Sequence, residues 1–349
     1  MPTFAPPPLA AFAADLFAAA GVPRDDALLV ARSLVDANLC GHDSHGVMRV
    51  PQYLGFLQTG QYKADAPFTI LNETAAVVAA DGGWGLGQVQ AYRLLDKLIP
   101  KAKALGVASG TLRNCGHVGR LGEYAEAAAR ENLVLLAMVN SHGAGRRVAP
   151  PGGTEGRIGT NPICFGVPTT GDPVILDFGT SAVAEGKVRV HFQKGEPVPA
   201  GWLLDSEGNP TTDPAKLYAT PSGSIVPFGG QQAYKGFGLG LLIDLLCGGL
   251  SGGRCANPND PMAGVGNAVV FAVFDPAAFG GVHHFLAQTD GLTGFVRGTP
   301  ATPGQTITLP GDPERKAKAE RSKTGIAIPD GTWKLIADAA TKLGVAVLG

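Results

Sequence analysis

Between residues 74 and 140 the chain alternates apolar runs of strand length with longer segments of helical period. This alternation restricts the chain to a layered α/β core. Strands are expected at 74–80, 107–112 and 133–139, with helices at 88–105 and through 130 after a loop at His117. Further strands are expected at 164–167, 174–178 and 268–274, and helices at 236–249 and 283–297. The stretch 195–232 is rich in Gly and Pro and reads mostly as loop. Both ends of the chain carry a different texture. Amphipathic helices are expected at 9–20 and 24–40 and a further helix at 49–59; a charged helix is expected at 313–323 and a last helix at 331–343 with Asp330 as N-cap. Residues 1–70 and 312–349 are therefore expected to pack together as a helical domain, and 71–311 to form the α/β domain.

At 349 residues the chain is long enough for two such units. Its 28 basic and 29 acidic residues leave a net charge of −1, with no basic block. Nucleic acid is not an expected partner. Apolar stretches are broken by Gly, Asp or Pro before the length of a membrane span, so no transmembrane helix and no membrane partner are expected. The start Met1-Pro2-Thr3-Phe4 lacks the basic region of a signal peptide. Five cysteines, widely spaced and without a C-x-x-C, fit a reduced cytoplasmic protein.

The common cofactor motifs fail. Gly83-x-Gly85-x-Gly87 meets Gln88 and Gln90 where the closing glycine belongs, and Gly236-x-Gly238-x-Gly240 meets Ile243. Gly186-Lys187 is followed by Val188, not the hydroxyl of a phosphate loop. His42-x-x-His45 has no Cys or carboxylate cluster around it, so no metal site is expected. G-x-S-x-G is absent.

Four polar clusters remain. His42-Asp43-Ser44-His45-Gly46, with Arg49 one turn on, suits proton transfer to an anionic substrate. The plainer alternative is a helix C-cap with exposed polar residues. Asn114-Cys115-Gly116-His117-Val118-Gly119-Arg120 lies between a strand and a helix, where backbone can approach an anion; the alternative is a glycine-rich turn. Cys115 and His117 lack a third orienting group, which disfavours a thiol nucleophile. Gly159-Thr160-Asn161-Pro162 and Leu176-Asp177-Phe178-Gly179-Thr180-Ser181 suit phosphate or ribose, or simply end a strand with a hydroxyl cap. Lys235 opens an apolar helix, as a phosphate ligand or an ordinary surface lysine.

Together with Pro210-Thr211-Thr212-Asp213-Pro214 and Leu309-Pro310-Gly311-Asp312, these segments stand in the order found in one family. Over about residues 9–345 the chain resembles the malate/L-lactate dehydrogenase family that is unrelated to the Rossmann lactate dehydrogenases. The run Asn38-Leu39-Cys40-Gly41-His42-Asp43-Ser44-His45-Gly46 looks most like its hydroxycarboxylate dehydrogenases. The resemblance implies a non-Rossmann, mixed-sheet nicotinamide-binding α/β domain and a helical domain formed from both chain ends. It also implies a homodimer whose interface helps form the site. His45 would donate or accept the proton, with Ser44 beside it, and His117 competes for that role. Arg49 would bind the substrate carboxylate, with Thr160 near the substrate. NAD or NADP would contact His117, Val118, Gly119, Arg120, Leu121, Ser141, Asp177, Phe178, Gly179, Thr180, Ser181, Lys235, Leu309, Pro310, Gly311 and Asp312. The implied activity is hydride transfer between NAD(P) and a small 2-hydroxy or 2-oxo carboxylic acid. The alternative is an NADPH-dependent cyclic imino acid reductase. The imine-reducing branch has an Asp where this chain has Lys187, which points away from imines. Many members have Gly-His-Phe-Phe where this chain has Val282-His283-His284-Phe285.

Overall fold

The structure, a computed structural model, describes residues 1–143, 145–257 and 265–349. Its first helices are α1 (Pro6–Ala19), α2 (Arg24–Leu39) and α3 (Val50–Gln58). Prolines fill the first turn of α1, where no N–H is needed. Asp25 and Asp26 begin α2, where the helix dipole favours negative charge. Leu9, Phe17, Leu34 and Tyr53 from these helices share one apolar core with Ile336 and Ala340 from the far end of the chain. A two-stranded ladder, Thr3–Phe4 against Ile326–Ala327, ties the ends together.

Seven strands form the main sheet: β1 (Thr69–Glu73), β2 (Val77–Asp81), β3 (Val107–Cys115), β4 (Val134–Asn140), β5 (Pro162–Val167), β6 (Val174–Gly179) and β7 (Asn267–Phe274). Their spatial order is β1-β2-β3-β7-β4-β5-β6. Among the described residues of this sheet, only β2 and β3 pair in parallel; every other neighbour is antiparallel. The late strand β7 inserts between β3 and β4 and runs against both.

Helices α4 (Gly87–Leu105) and α5 (Gly122–Arg130) cover one face of the sheet. Leu94, Leu98, Tyr124 and Ala128 pack there on Leu112, Ala137 and Phe271. Beyond β6 lie α6 (Glu185–Lys194) and α7 (Ala233–Leu245). The segment expected to be mostly loop contains a small sheet of Leu203–Leu204, Pro210–Thr211 and Ser224–Ile225, with its own core around Val148, Val188 and Ile225. Ile243 of α7 and the following Cys247 reach Ile163, Ala268 and Val270 on the second face of the main sheet.

The expectation that no apolar stretch is long enough to span a membrane needs correction. Gly230–Leu250 is one helical run of 21 residues, sufficient in length and composition. Its glycines and Asp244 are helical here and do not interrupt it. About a third of its apolar window is buried in the fold, at 33%. Helix α8 (Val282–Arg297) follows, with no buried residue. The chain ends with α9 (Asp312–Thr324) and α10 (Asp330–Leu343). Pro329, not Asp330, occupies the N-cap of α10; Asp330 is the acid of its first turn.

Candidate active site

A cleft of about 740 Å³ opens where the loop after α2, the loop before α5, the β5–β6 edge and the start of α6 converge. That volume suits a small-molecule site. The first wall follows from how α2 ends. Gly41 has φ +82, and a side chain there would contact Ala317 of α9. Two short 3₁₀ turns, Asp43–His45 and Val47–Arg49, then lead into α3. Buried Asn38 holds them: its Oδ1 accepts the Val47 N–H at 2.8 Å and its Nδ2 donates to Asp43 at 2.6 Å. A Cβ on Gly46 would lie 2.2 Å from that same amide, so the turn requires glycine. The second wall depends on Gly87, whose added Cβ would sit 2.2 Å from the Gly116 carbonyl oxygen beside His117.

The two walls bring His45 and His117 face to face, with ring centroids 5.3 Å apart and planes 22° from parallel. Ser44 Oγ lies 3.0 Å from His45 Nδ1, and Tyr53 Oη lies 2.6 Å from His117 Nδ1. Gln88 Nε2 donates to the same tyrosine oxygen at 3.3 Å. Each Nδ1 is thus occupied by a hydroxyl, leaving Nε2 as the remaining proton-carrying atom. Burial pushes His45 down to about 3, assisted by the positive charge of Arg49. Burial also holds His117 well below its ordinary value, again assisted by Arg49. Both rings are therefore neutral near pH 7. Arg49 itself donates from Nε to the Ser44 carbonyl at 2.7 Å and from Nη1 to Gln52 at 2.7 Å. Its outer Nη1–Nη2 edge is what remains for a carboxylate.

Residues 4–337 match the malate/L-lactate dehydrogenase family model. Hydroxycarboxylate dehydrogenase B of Escherichia coli strain K12 is 36% identical over 342 residues, which is 97% of this chain and 93% of that one. The chain belongs to the malate/L-lactate dehydrogenase family. Among solved structures, sulfolactate dehydrogenase from Methanocaldococcus jannaschii superposes with a TM-score of 0.87 at 31% identity, covering 99% of this chain and 98% of the other. A second relative, delta1-piperideine-2-carboxylate reductase from Pseudomonas syringae pvar. tomato, gives 0.84 at 32% identity, covering 97% and 100%. Membership makes this protein an oxidoreductase of 2-hydroxy and 2-oxo carboxylic acids, with a nicotinamide cofactor.

The dehydrogenase cleft is lined by many of the residues singled out from sequence: Ser44, His45, Arg49, His117, Gly119, Arg120, Leu121, Thr160, Asp177, Phe178, Gly179 and Ser181. A Cβ on Gly179 would come 3.2 Å from the Thr160 carbonyl, so the wall narrows to bare backbone there. This glycine-lined cradle beside the start of α5 fits a flat ring and a phosphate. Other expected residues are not on the cleft wall. Val118 is buried and donates its N–H to Asn267. Thr180 Oγ1 is taken up by the carbonyls of Thr160 and Asn161. Ser141 is half-buried, its Oγ 2.5 Å from where a Gly159 Cβ would be. Lys235 is exposed at the start of α7, its Nζ 5.9 Å from the Tyr234 ring centre.

Of the Leu309-Pro310-Gly311-Asp312 turn, Gly311 lines a separate cavity of about 230 Å³ that shares Arg120 and Asp177 with the cleft. Pro310 accepts the Ile175 N–H, and Asp312 is held by Arg297 and Arg315. Arg120 and Asp177 on the cleft wall are also tied to the protein. Arg120 bonds Asp36 at 2.9 Å and Glu126 at 3.0 Å, and Asp177 accepts the Gly122 N–H at 2.8 Å.

Two residues escaped the sequence reading. Tyr53 looks like core because its spacing is that of a buried helix face, and it is buried. Asp244 accepts from Asn140 at 3.0 Å and Asn161 at 2.9 Å, and so anchors the backbone beside Ser141 and Thr160. An acid isolated in an apolar helix was its available signal.

Proposed function

We propose that this protein reduces small, anionic 2-oxo acids and oxidises the matching 2-hydroxy acids, with His45 as proton donor and acceptor. The stacked pair His45–His117 facing the Arg49 edge carries the reading. Arg49 grips the substrate carboxylate and places C2 and its oxygen against the imidazoles. His45 Nε2 receives the hydroxyl proton during oxidation and returns it during reduction. Ser44 keeps the ring oriented, and Tyr53 does the same for His117. A bound NAD or NADP supplies or takes up the hydride at C2; the His117 to Leu121 loop, Thr160, Phe178 and Gly179 would hold it. A carboxylate on Arg49 offsets the charge that depresses both histidines, so substrate binding makes His45 easier to protonate.

Cyclic imino acid reduction is the second reading, favoured by the piperideine-2-carboxylate reductase likeness. Lys187 opposes it. It lines the cleft at the start of α6, and its charge adds to that of Arg49 in depressing His45. Such a field disfavours a protonated imine and favours a 2-oxo acid. The test compares kcat/KM for oxaloacetate, pyruvate and bulkier 2-oxo acids with that for piperideine-2-carboxylate, using NADH and NADPH in turn. Faster imine reduction would overturn the reading.

A homodimer is part of the proposal. Leu242, Leu245 and Leu250 on the outer side of the α7 run, and Leu292 and Phe295 on α8, are exposed apolar residues suited to a second copy. Residues 1–70 with 312–349 would form the helical domain and 71–311 the cofactor-binding and catalytic domain; the separate apolar cores support this division. Five free cysteines, four of them buried, support a cytoplasmic setting.

A further inference from the structure

We propose that α9 is an electrostatic clamp on the proton-transfer loop, and that Arg321 is a positioning residue acting on His45 through Asp43. The inference rests on the reading of His45 as the proton carrier. Eight of the 13 residues of α9 are charged, and none is buried. A helix without an apolar face needs another means of attachment. Glu314, Lys318 and Arg321, spaced i, i+4 and i+7, lie along one face. All three pair with a single short segment, residues 36–43. Glu314 Oε1 lies 3.1 Å from His42 Nε2. Lys318 donates to Asp36. Arg321 grips Asp43 with two bonds, of 2.6 and 3.1 Å, and also donates to the Asn38 carbonyl. Between these contacts, Gly41 approaches Ala317.

The clamped segment runs directly into Ser44 and His45. Asp43 is exposed and Ser44 and His45 are only half-buried, so the turn Asp43–His45 has no apolar anchor of its own. Asp43 is held from inside by Asn38 and from outside by Arg321. Its carbonyl accepts the Gly46 N–H at 3.0 Å, which closes the turn carrying the catalytic ring. Exposed ion pairs add little to global stability. This one sets the position of a loop, so its loss should appear in turnover before it appears in unfolding.

The test uses the full chain carrying Arg321→Ala, Arg321→Lys, Asp43→Asn and the Arg321→Ala/Asp43→Asn pair. Lys334→Ala is the control, because Lys334 makes an exposed 2.8 Å pair with Asp338 on α10. Arg321→Ala is expected to lower kcat by about tenfold or more. NADH and NADPH dissociation constants should stay within about twofold, and Arg321→Lys should recover part of the rate. The double variant should be no slower than the worse single one, since both remove the same contact. Amide hydrogen exchange at residues 42–49 should quicken in Arg321→Ala and not in the control. Wild-type kcat in Arg321→Ala, multiplicative losses in the double variant, or unchanged exchange at 42–49 would each overturn the clamp. The exchange measurement needs no substrate. An enzyme inactive on every 2-oxo acid would therefore defeat the functional reading while the exchange result still judged the clamp.

Discussion

His45 and His117 share a design: a ring nitrogen on a hydroxyl, a buried flank, and a nearby guanidinium that keeps the ring uncharged. A neutral base is ready to accept a proton without waiting for a titration. For oxidation of a 2-hydroxy acid, kcat/KM should therefore be flat from about pH 8 to pH 5. Oxidation releases one proton, so the equilibrium constant changes with pH, and kcat/KM for reduction must rise about tenfold for each unit of pH decrease. A midpoint near the ordinary histidine value in the oxidation profile would contradict this. His45→Ala should cut kcat by at least about 10² while cofactor binding, read by NAD(P)H fluorescence, survives. Unchanged turnover would move the role to His117. Arg49→Lys loses the bonds that now aim the guanidinium at the cleft, as well as its flat edge. KM for the 2-oxo acid should rise roughly 10- to 100-fold with a smaller change in kcat, as expected for charged hydrogen bonds.

Helix α5 carries a buried acid that the chemistry does not use. Burial pushes Glu123 up to about 8, although Ser33 of α2 donates to it at 2.6 Å and Arg120 opposes the shift. The unfolded chain releases this proton near the ordinary glutamate value, whereas the folded protein keeps it until about pH 8. The folded state therefore binds more protons across that window, and stability falls as pH rises through it. Glu123→Gln keeps an acceptor for Ser33 and removes the ionisation. It should raise stability at pH 8 by about 1–3 kcal/mol and change little at pH 4. Thermal melts at the two values check this; equal shifts at both would contradict it.

At the same scale, the helices were legible because a 3.6-residue apolar period is written locally, as in Leu94 and Leu98 of α4. Helix α6 was not, because Ala184 caps it without a side-chain bond and its sequence lacks a clear apolar stripe. The order of the sheet was hidden as well: nothing local in residues 267–274 states which edges they will join. His42, Asp43, Ser44 and His45 stand out because four polar groups crowd one short segment, with Arg49 one turn on. Residue type alone does not state that Thr180 Oγ1 bonds the Thr160 and Asn161 carbonyls or that Lys235 lies exposed at the start of α7.

Several exposed apolar residues lie on the α7 run and on α8. Leu242 is 57% exposed on α7 and Phe295 80% on α8. Sedimentation at assay concentration should give a dimer or a multiple of it. Replacing both residues with Lys should yield monomers, and those monomers should be inactive if the partner completes the site. Active monomers would remove the dimer from the proposal.

The position of β7 has a consequence for how the chain is made. Synthesis delivers β3 and β4 more than a hundred residues before the strand that separates them. Until residues 267–274 leave the ribosome, both strands carry unpaired edges that can join each other in the wrong alignment or join another chain. The helical core waits longer still, for Ile336 and Ala340. Neither layer can close on the growing chain until these late segments emerge, which lengthens the time that strand edges stay open to mispairing.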